Sequence, residues 1–180
     1  QTIEERLLAL ELDVGIIEGK GQSRDLVAIP MSDDYLVLVC GKDHPFMERE
    51  KLYPSDLKDQ EFVMREKGSG TRALFENYLE KHGVRIKVVL EESSPAAILR
   101  TVQINPCLAV LSVGLIETEV KEGRLKAFAQ EEQEWNRKFS FVYHKDKFLT
   151  VGIKELERIV KNYGERDVLA KVPVGSLMNR

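Results

Sequence analysis

The chain has 180 residues, 43% hydrophobic and 32% charged, enough apolar material for one or two ordinary cores and too much for a disordered default. Lys and Arg together number 27 against 30 for Asp and Glu, a net charge of −3, which lacks the basic footprint of a chain that grips nucleic acid. The longest apolar runs, YLVLVC and LAVLS, are too short to cross a bilayer and the first residues show no basic-then-apolar leader, so a cytoplasmic protein without a membrane partner is expected.

Thr2 and Glu5 stand at capping-box spacing, and Ile3, Leu7, Leu8 and Leu10 follow at roughly helical period; this predicts a helix leading into a strand over 14–17. After the loop EGKGQS come DLVAIPMS and DYLVLVCG, two apolar, β-branched runs that read as adjacent strands broken by Pro30 and Asp33-Asp34. The polar, proline-marked KDHPFMEREKLYPSDL reads as a surface connection with at most a short helical turn. From Glu61 the pattern becomes regular: EFVMRE as strand, a helix over 71–82, IKVVLEE as strand, a helix opened by Ser93-Ser94-Pro95, LAVLS as strand, a helix over 113–122 stopped by Gly123, and LKAFAQ as strand. Such alternation signals βαβ units around a mainly parallel sheet. RKFSFVYHK then adds a strand, and an amphipathic helix follows whose apolar stripe is Ile153, Leu156, Ile159 and Val160. The tail VLAKVPVGSLMNR carries no readable pattern.

Two cysteines, Cys40 and Cys107, lack CxxC or Cys/His ligand spacing and read as packed, reduced thiols. His44, His82 and His144 are scattered, with no second ligand at helical or turn spacing, so no metal is expected.

The chemistry that remains is at the helix starts. In KGSGTR, Gly68 and Gly70 let a ligand approach the backbone, Ser69 and Thr71 supply hydroxyls, and the first helical N–H groups are unpaired, which favours a carboxylate, sulfate or phosphate. Ser93 and Ser94 ahead of Pro95, and Ser112, open the next two helices in the same manner. In an open α/β sheet these starts lie at the carboxyl ends of parallel strands, where ligands bind. Helix capping alone explains any one of these sites; their recurrence favours a ligand. No cofactor is implied, because GSGTR lacks the Lys-Ser/Thr of a Walker loop and the third glycine of a dinucleotide fingerprint. No nucleophile elbow or nominated base supports catalysis. The adjacent acids Glu91-Glu92 and Glu131-Glu132 read as solvated.

LLALELDVGII, YLVLVCGKDHPF, FVMREKGSGTRALFENYLEKHG, ILRTVQINPCLAVLS and VKEGRLKAF fall in the order and spacing of the effector-binding domain of LysR-type transcriptional regulators, and the chain resembles that family over roughly residues 2–162. The resemblance implies an α/β fold of two subdomains, the periplasmic-binding-protein-like type II fold, sensing a small and usually anionic effector in the cleft between them. It implies subdomains of 1–60 with 139–180 and of 61–138, with crossovers near 60–62 and 137–139. Ser69, Gly70, Thr71, Ser93, Ser94 and Ser112 would line the cleft from the second subdomain and Glu18 from the first. It further implies DNA binding through an N-terminal winged helix-turn-helix, a homo-oligomer (dimer or tetramer), and a chain that starts after that reader and after the first strand and helix of the effector domain. Where the family has a glycine-rich turn this chain has QINPCLAVLS. Two other readings of the same fold are a solute-binding protein for a transporter and an enzyme.

Overall fold

Strict alternation shapes the longest strand. Leu36, Leu38 and Cys40 point into one hydrophobic cluster and Val37 and Val39 into another, and all five are buried. A strand with both faces apolar must be covered on both sides. The computed structural model, which describes residues 2–132, 134–163 and 171–179, shows it so covered. This strand, β2 (Leu26–Gly41), follows α1 (Ile3–Leu8) and β1 (Gly15–Glu18); then come β3 (Lys51–Leu52), β4 (Glu61–Arg65), α2 (Gly70–Lys81), β5 (Lys87–Glu92), α3 (Pro95–Ile104), β6 (Leu108–Ser112), α4 (Val113–Lys121), β7 (Leu125–Gln130), β8 (Asn136–His144), α5 (Val151–Tyr163) and β9 (Gly175–Leu177). Single 3-10 turns at Pro45–Glu48 and Pro54–Leu57 interrupt the polar connection, as expected there.

The contacts define two compact units, Gln1–Asp34 with Arg137–Arg166 and Tyr35–Asn136 with Asp167–Arg180. In the first, the Thr2/Glu5 capping box forms with both bonds, 2.8 and 3.2 Å, and α1 covers β1. β1 pairs antiparallel with β8, Ile16 against Phe141 and Glu18 against Phe139, and β8 also pairs with β2. Leu7, Ile17, Leu26 and Val142 make its small core. Of the apolar stripe read on α5, Val160 is buried while Leu156 and Ile159 are exposed.

The second unit holds a sheet of order β3-β9-β7-β2-β6-β4-β5, in which β2 runs antiparallel to β6 and β7, while β3 with β9, β9 with β7, β6 with β4 and β4 with β5 are parallel. The helix α2 covers one face with Phe75, Tyr78 and Leu79, joined there by Phe62, Phe128 and Trp135. Trp135 stacks edge-on against Phe75 and Tyr78, with centroids 5.7 and 5.2 Å away. The helices α3 and α4 cover the other face with Ile98, Val102, Val113, Ile116 and Val120. Contact there is close: a Cβ on Gly41 would stand 2.2 Å from the Val102 carbonyl oxygen, so the end of β2 admits only glycine beneath α3.

One expectation is corrected. The two strands read from DLVAIPMS and DYLVLVCG are one strand of 16 residues. Pro30 keeps an extended backbone and costs only one ladder donor, while Asp34 is anchored by an ion pair to Arg137 on β8. The boundary between the two compact units falls between Asp34 and Tyr35, inside β2, and the return between Asn136 and Arg137. Residues 35–60 go with the second unit because Leu36–Cys40 pairs with β6 on one edge and Val37–Gly41 with β7 on the other. The tail, which carried no readable pattern, supplies β9, a parallel strand inserted between β3 and β7 of the second unit. Its backbone is held by Ser176 N–H to the Glu50 carbonyl (2.9 Å) and Met178 N–H to the Leu52 carbonyl (2.8 Å), and the Tyr78 hydroxyl donates to the Met178 carbonyl (2.9 Å).

Because Leu177 is fully buried in this slot, Leu177→Ala is expected to destabilise the second unit by about 2–5 kcal/mol, read as a lower urea midpoint by circular dichroism. A pH effect is expected from His44, which is 4% exposed and accepts the Phe46 N–H at Nδ1 (3.1 Å). Burial pushes its pKa below the ordinary 6.5, against a hydrogen bond with Gln60 that raises it. The unfolded chain therefore takes up this proton at a higher pH than the folded one. Stability falls as pH drops below 6.5, by at most about 1.4 kcal/mol per unit, until the folded imidazole titrates. His44→Gln flattens that part of the curve in urea titrations between pH 7.5 and 5.5.

Candidate ligand site

In the second unit the strands β4, β5 and β6 are neighbours, in the order β6-β4-β5, and each feeds a helix. Their three helix starts therefore share one edge of the sheet, the edge that binds ligands in open α/β architectures. The residues at these starts do different work.

Ser94 is a structural cap. Its hydroxyl accepts the Ala97 N–H at 3.4 Å, its own N–H donates to Glu92 at 2.9 Å, and both Ser94 and Ser93 are exposed. Ser112 is half-buried at the end of β6, opposite Leu36, and its side chain makes no cap bond. Ser69 is the contrasting case: it occupies the N-cap position of α2 with an extended backbone and is 9% exposed, yet its hydroxyl caps no helical N–H. Gly68, at φ 92°, turns the chain into it, a conformation that favours glycine. Gly70 is exposed and Thr71 is buried at 6% exposure. The cavity lined by Val63, Thr71, Phe75 and Val110 is about 10 Å³, at the lower limit for a single water, so it does not house an effector.

Glu18 belongs to the other unit. It ends β1 with its side chain 48% exposed and lies 3.9 Å from Arg137, whose second terminal nitrogen pairs with Asp34 and whose guanidinium sits 5.3 Å over the Phe139 ring. The structure therefore brings Ser69, Gly70 and Thr71 together, sets Ser94 and Ser112 at the neighbouring helix starts, and leaves Glu18 in a separate ion cluster.

Two residues of the loop's surroundings were not singled out from the sequence. Arg72, its side chain 11% exposed, donates through Nε to Glu76 (2.7 Å) and through Nη1 to both Glu91 (2.6 Å) and the Arg65 carbonyl (2.9 Å). Glu91, read as one of a solvated pair of acids, instead accepts from Arg72, and this hydrogen bond is the main cause of its lowered pKa. Glu92 caps the next turn. The alternation of a strand puts Glu91 and Glu92 on opposite faces, which was the available signal.

Cys40 and Cys107 are both free and buried, in clusters on opposite faces of the sheet. Burial pushes the Cys40 thiol up to about 12 and raises that of Cys107. Among the described residues no group of His, Cys, Asp and Glu could hold a metal ion, and no helix is long and apolar enough to cross a membrane.

A mixed sheet with three helix starts gathered at neighbouring strand ends defines an α/β protein. The chain belongs to the LysR substrate binding domain family, whose model matches residues 1–164. With it comes the periplasmic-binding-protein-like type II fold. Relatives include a RuBisCO operon transcriptional regulator of Acidithiobacillus ferrooxidans, 34% identical over 69% of this chain and 40% of that protein, and the HTH-type transcriptional regulator CysL of Bacillus subtilis, 28% identical over 79% and 48%. The chain thus spans about half or less of the length of these relatives. Among solved structures, the regulatory domain of Synechocystis CcmR in complex with 2-PG superposes with a TM-score of 0.76 at 27% identity, covering 92% of this chain and 79% of that one. The effector-binding domain of QuiR in complex with shikimate superposes at 0.71 with 16% identity and shares the fold.

Raised thiol pKa values and burial predict inert cysteines. Iodoacetamide at pH 8 is expected to leave both unmodified in the native chain and to alkylate both in denaturant, read by intact mass.

Proposed function

We propose that this chain is the ligand-sensing part of a LysR-type transcriptional regulator acting in the cytoplasm, with no chemistry of its own. Its effector is a small anion, one end of which is held at Ser69–Thr71. The observation that carries the site is the Ser69 hydroxyl: it is buried at a helix start and caps nothing, whereas Ser94 at the next start does. The positive end of α2 and its first N–H groups complete a cradle for negative charge. The relative bound to 2-PG supports an anionic effector class. The parent protein reads DNA through a winged helix-turn-helix, and effector binding shifts a conformational equilibrium that this reader senses.

The proposal extends to a homo-oligomer. The strand β5 lies at the sheet's edge, and Val88, Val89 and Leu90 on it are 49%, 51% and 42% exposed. An exposed apolar edge is a pairing surface. Val89→Lys is expected to lower the association state in sedimentation velocity; an unchanged distribution counts against this edge.

Calorimetric titration with 2-PG, inorganic phosphate and small carboxylates tests the site. At least one is expected to bind. Thr71→Val is expected to weaken that binding about tenfold or more, since a hydrogen bond to a charged group contributes about 1.5–3 kcal/mol. Unchanged affinity would remove the loop from the site.

A further inference from the structure

The geometry points to Arg72 as a positioning residue that, together with Glu91, sets the backbone of the Ser69–Thr71 loop, and not as the counter-ion of the bound anion. The inference rests on the reading of that loop as the anion site. An arginine one residue after the loop's threonine is the obvious candidate for a ligand's charge partner, but its Nε and Nη1 donors are committed elsewhere. Nε is on Glu76, and Nη1 is on both Glu91 and the Arg65 carbonyl. Two carboxylates already surround one guanidinium, so an incoming anion would meet local charge of its own sign. Arg65 is likewise taken, bonding Glu66 through Nε at 2.8 Å and Nη2 at 2.9 Å.

What these bonds hold is the entry to the turn. Arg72 fixes the carbonyl of Arg65, the last residue of β4, and Glu91 in turn holds the Arg72 guanidinium. The backbone entering the turn is thus held by an ion pair that joins α2 to β5. Gly68 then turns the chain, and Ser69, Gly70 and Thr71 follow from that fixed point at the end of β4. The anion is met by hydroxyl and N–H dipoles, not by a free cation, which is workable where the donors are preorganised.

The two roles predict opposite signs for one substitution. If Arg72 were the ligand's counter-ion, removing Glu91 would free it and tighten binding. If it positions the loop, removing Glu91 unties the guanidinium from β5, loosens its hold on the Arg65 carbonyl and weakens binding. The test is a titration of the ¹⁵N-labelled chain with inorganic phosphate, following the amides of Ser69, Gly70 and Thr71, with those of Leu108–Ser112 as the fold control. Glu91 is exposed on an edge strand, so its replacement is tolerable. The expected order of affinity is wild type, then Glu91→Gln, then Glu91→Ala, with severalfold loss in the last. Arg72→Lys is expected to weaken binding as well, since it keeps the charge but loses the planar fork. Glu91→Ala binding phosphate as well as or better than wild type, while Thr71→Val still weakens it, overturns the positioning role and leaves the site standing. No phosphate-induced shift at Ser69–Thr71 in the wild type overturns the site and this inference with it.

Discussion

The double-faced burial of Leu36–Cys40 is the constraint on which the second unit is built. Each residue of this run is fully or almost fully withdrawn from solvent, and successive side chains enter different clusters. A register slip of one residue would exchange the two faces, sending Leu36, Leu38 and Cys40 toward α3 and α4 and the valines toward α2. The two cores differ in what they hold: aromatic rings on the α2 side, smaller aliphatic side chains and alanines on the other. The slip would therefore misfit both at once, and protein interiors tolerate such volume changes poorly. Gly41 adds a steric stop at the end of the same run. With β2 so held, β6 and β7 are aligned along its two edges, β4 along β6, and the helix starts follow from the strand ends.

That chain of dependence separates the parts of the candidate site by rigidity. The sheet sets where β4 stops, at the residue whose carbonyl Arg72 holds. From there the loop is short, and it is tied to the edge strand β5 through Glu91. Ser94 closes a hydrogen bond within its own helix and so spends its hydroxyl on stability. Ser69, at the equivalent position of the preceding helix, makes no such cap bond. Equivalent residues in equivalent places thus differ by one local bond.

Much of this was legible in the sequence, and the exceptions have physical causes. The alternating units from Glu61 to Gln130 were readable because each strand and helix carries its own periodicity and its own cap or stop: Ser94-Pro95 opens α3 and Gly123 closes α4. The unity of β2 was hidden because Pro30 and Asp33-Asp34 are breakers by local rule, and what keeps the strand whole is a partner 103 positions away, Arg137, which local reading does not see. The tail was unreadable for a related reason. A strand of three residues shows too little alternation to register, and GSL is held by backbone bonds to two flanking strands and by burial of Leu177. At the candidate site, the loop Ser69–Thr71 was proposed from residue types and spacing. The distinction between Ser69 and Ser94 was not, because both are serines at helix starts and only the direction of a hydroxyl separates them. The role of Glu91 escaped because its partner, Arg72, lies on another element.

Trp135 gives the molecule a built-in optical label. It is the chain's one tryptophan, 2% exposed, and two of the rings against it, Phe75 and Tyr78, belong to α2. Its indole emission is therefore determined largely by how that helix lies on the sheet. A rigid tilt or slide of α2 of even a fraction of a ring width alters the edge-to-face geometry, and with it the colour and lifetime of the emitted light, without any dye or tag. The helix whose first turn carries Ser69 and Thr71 is in this way coupled at its middle to a fluorophore shielded from the solvent, so events at the loop are convertible into a spectral signal from the native chain.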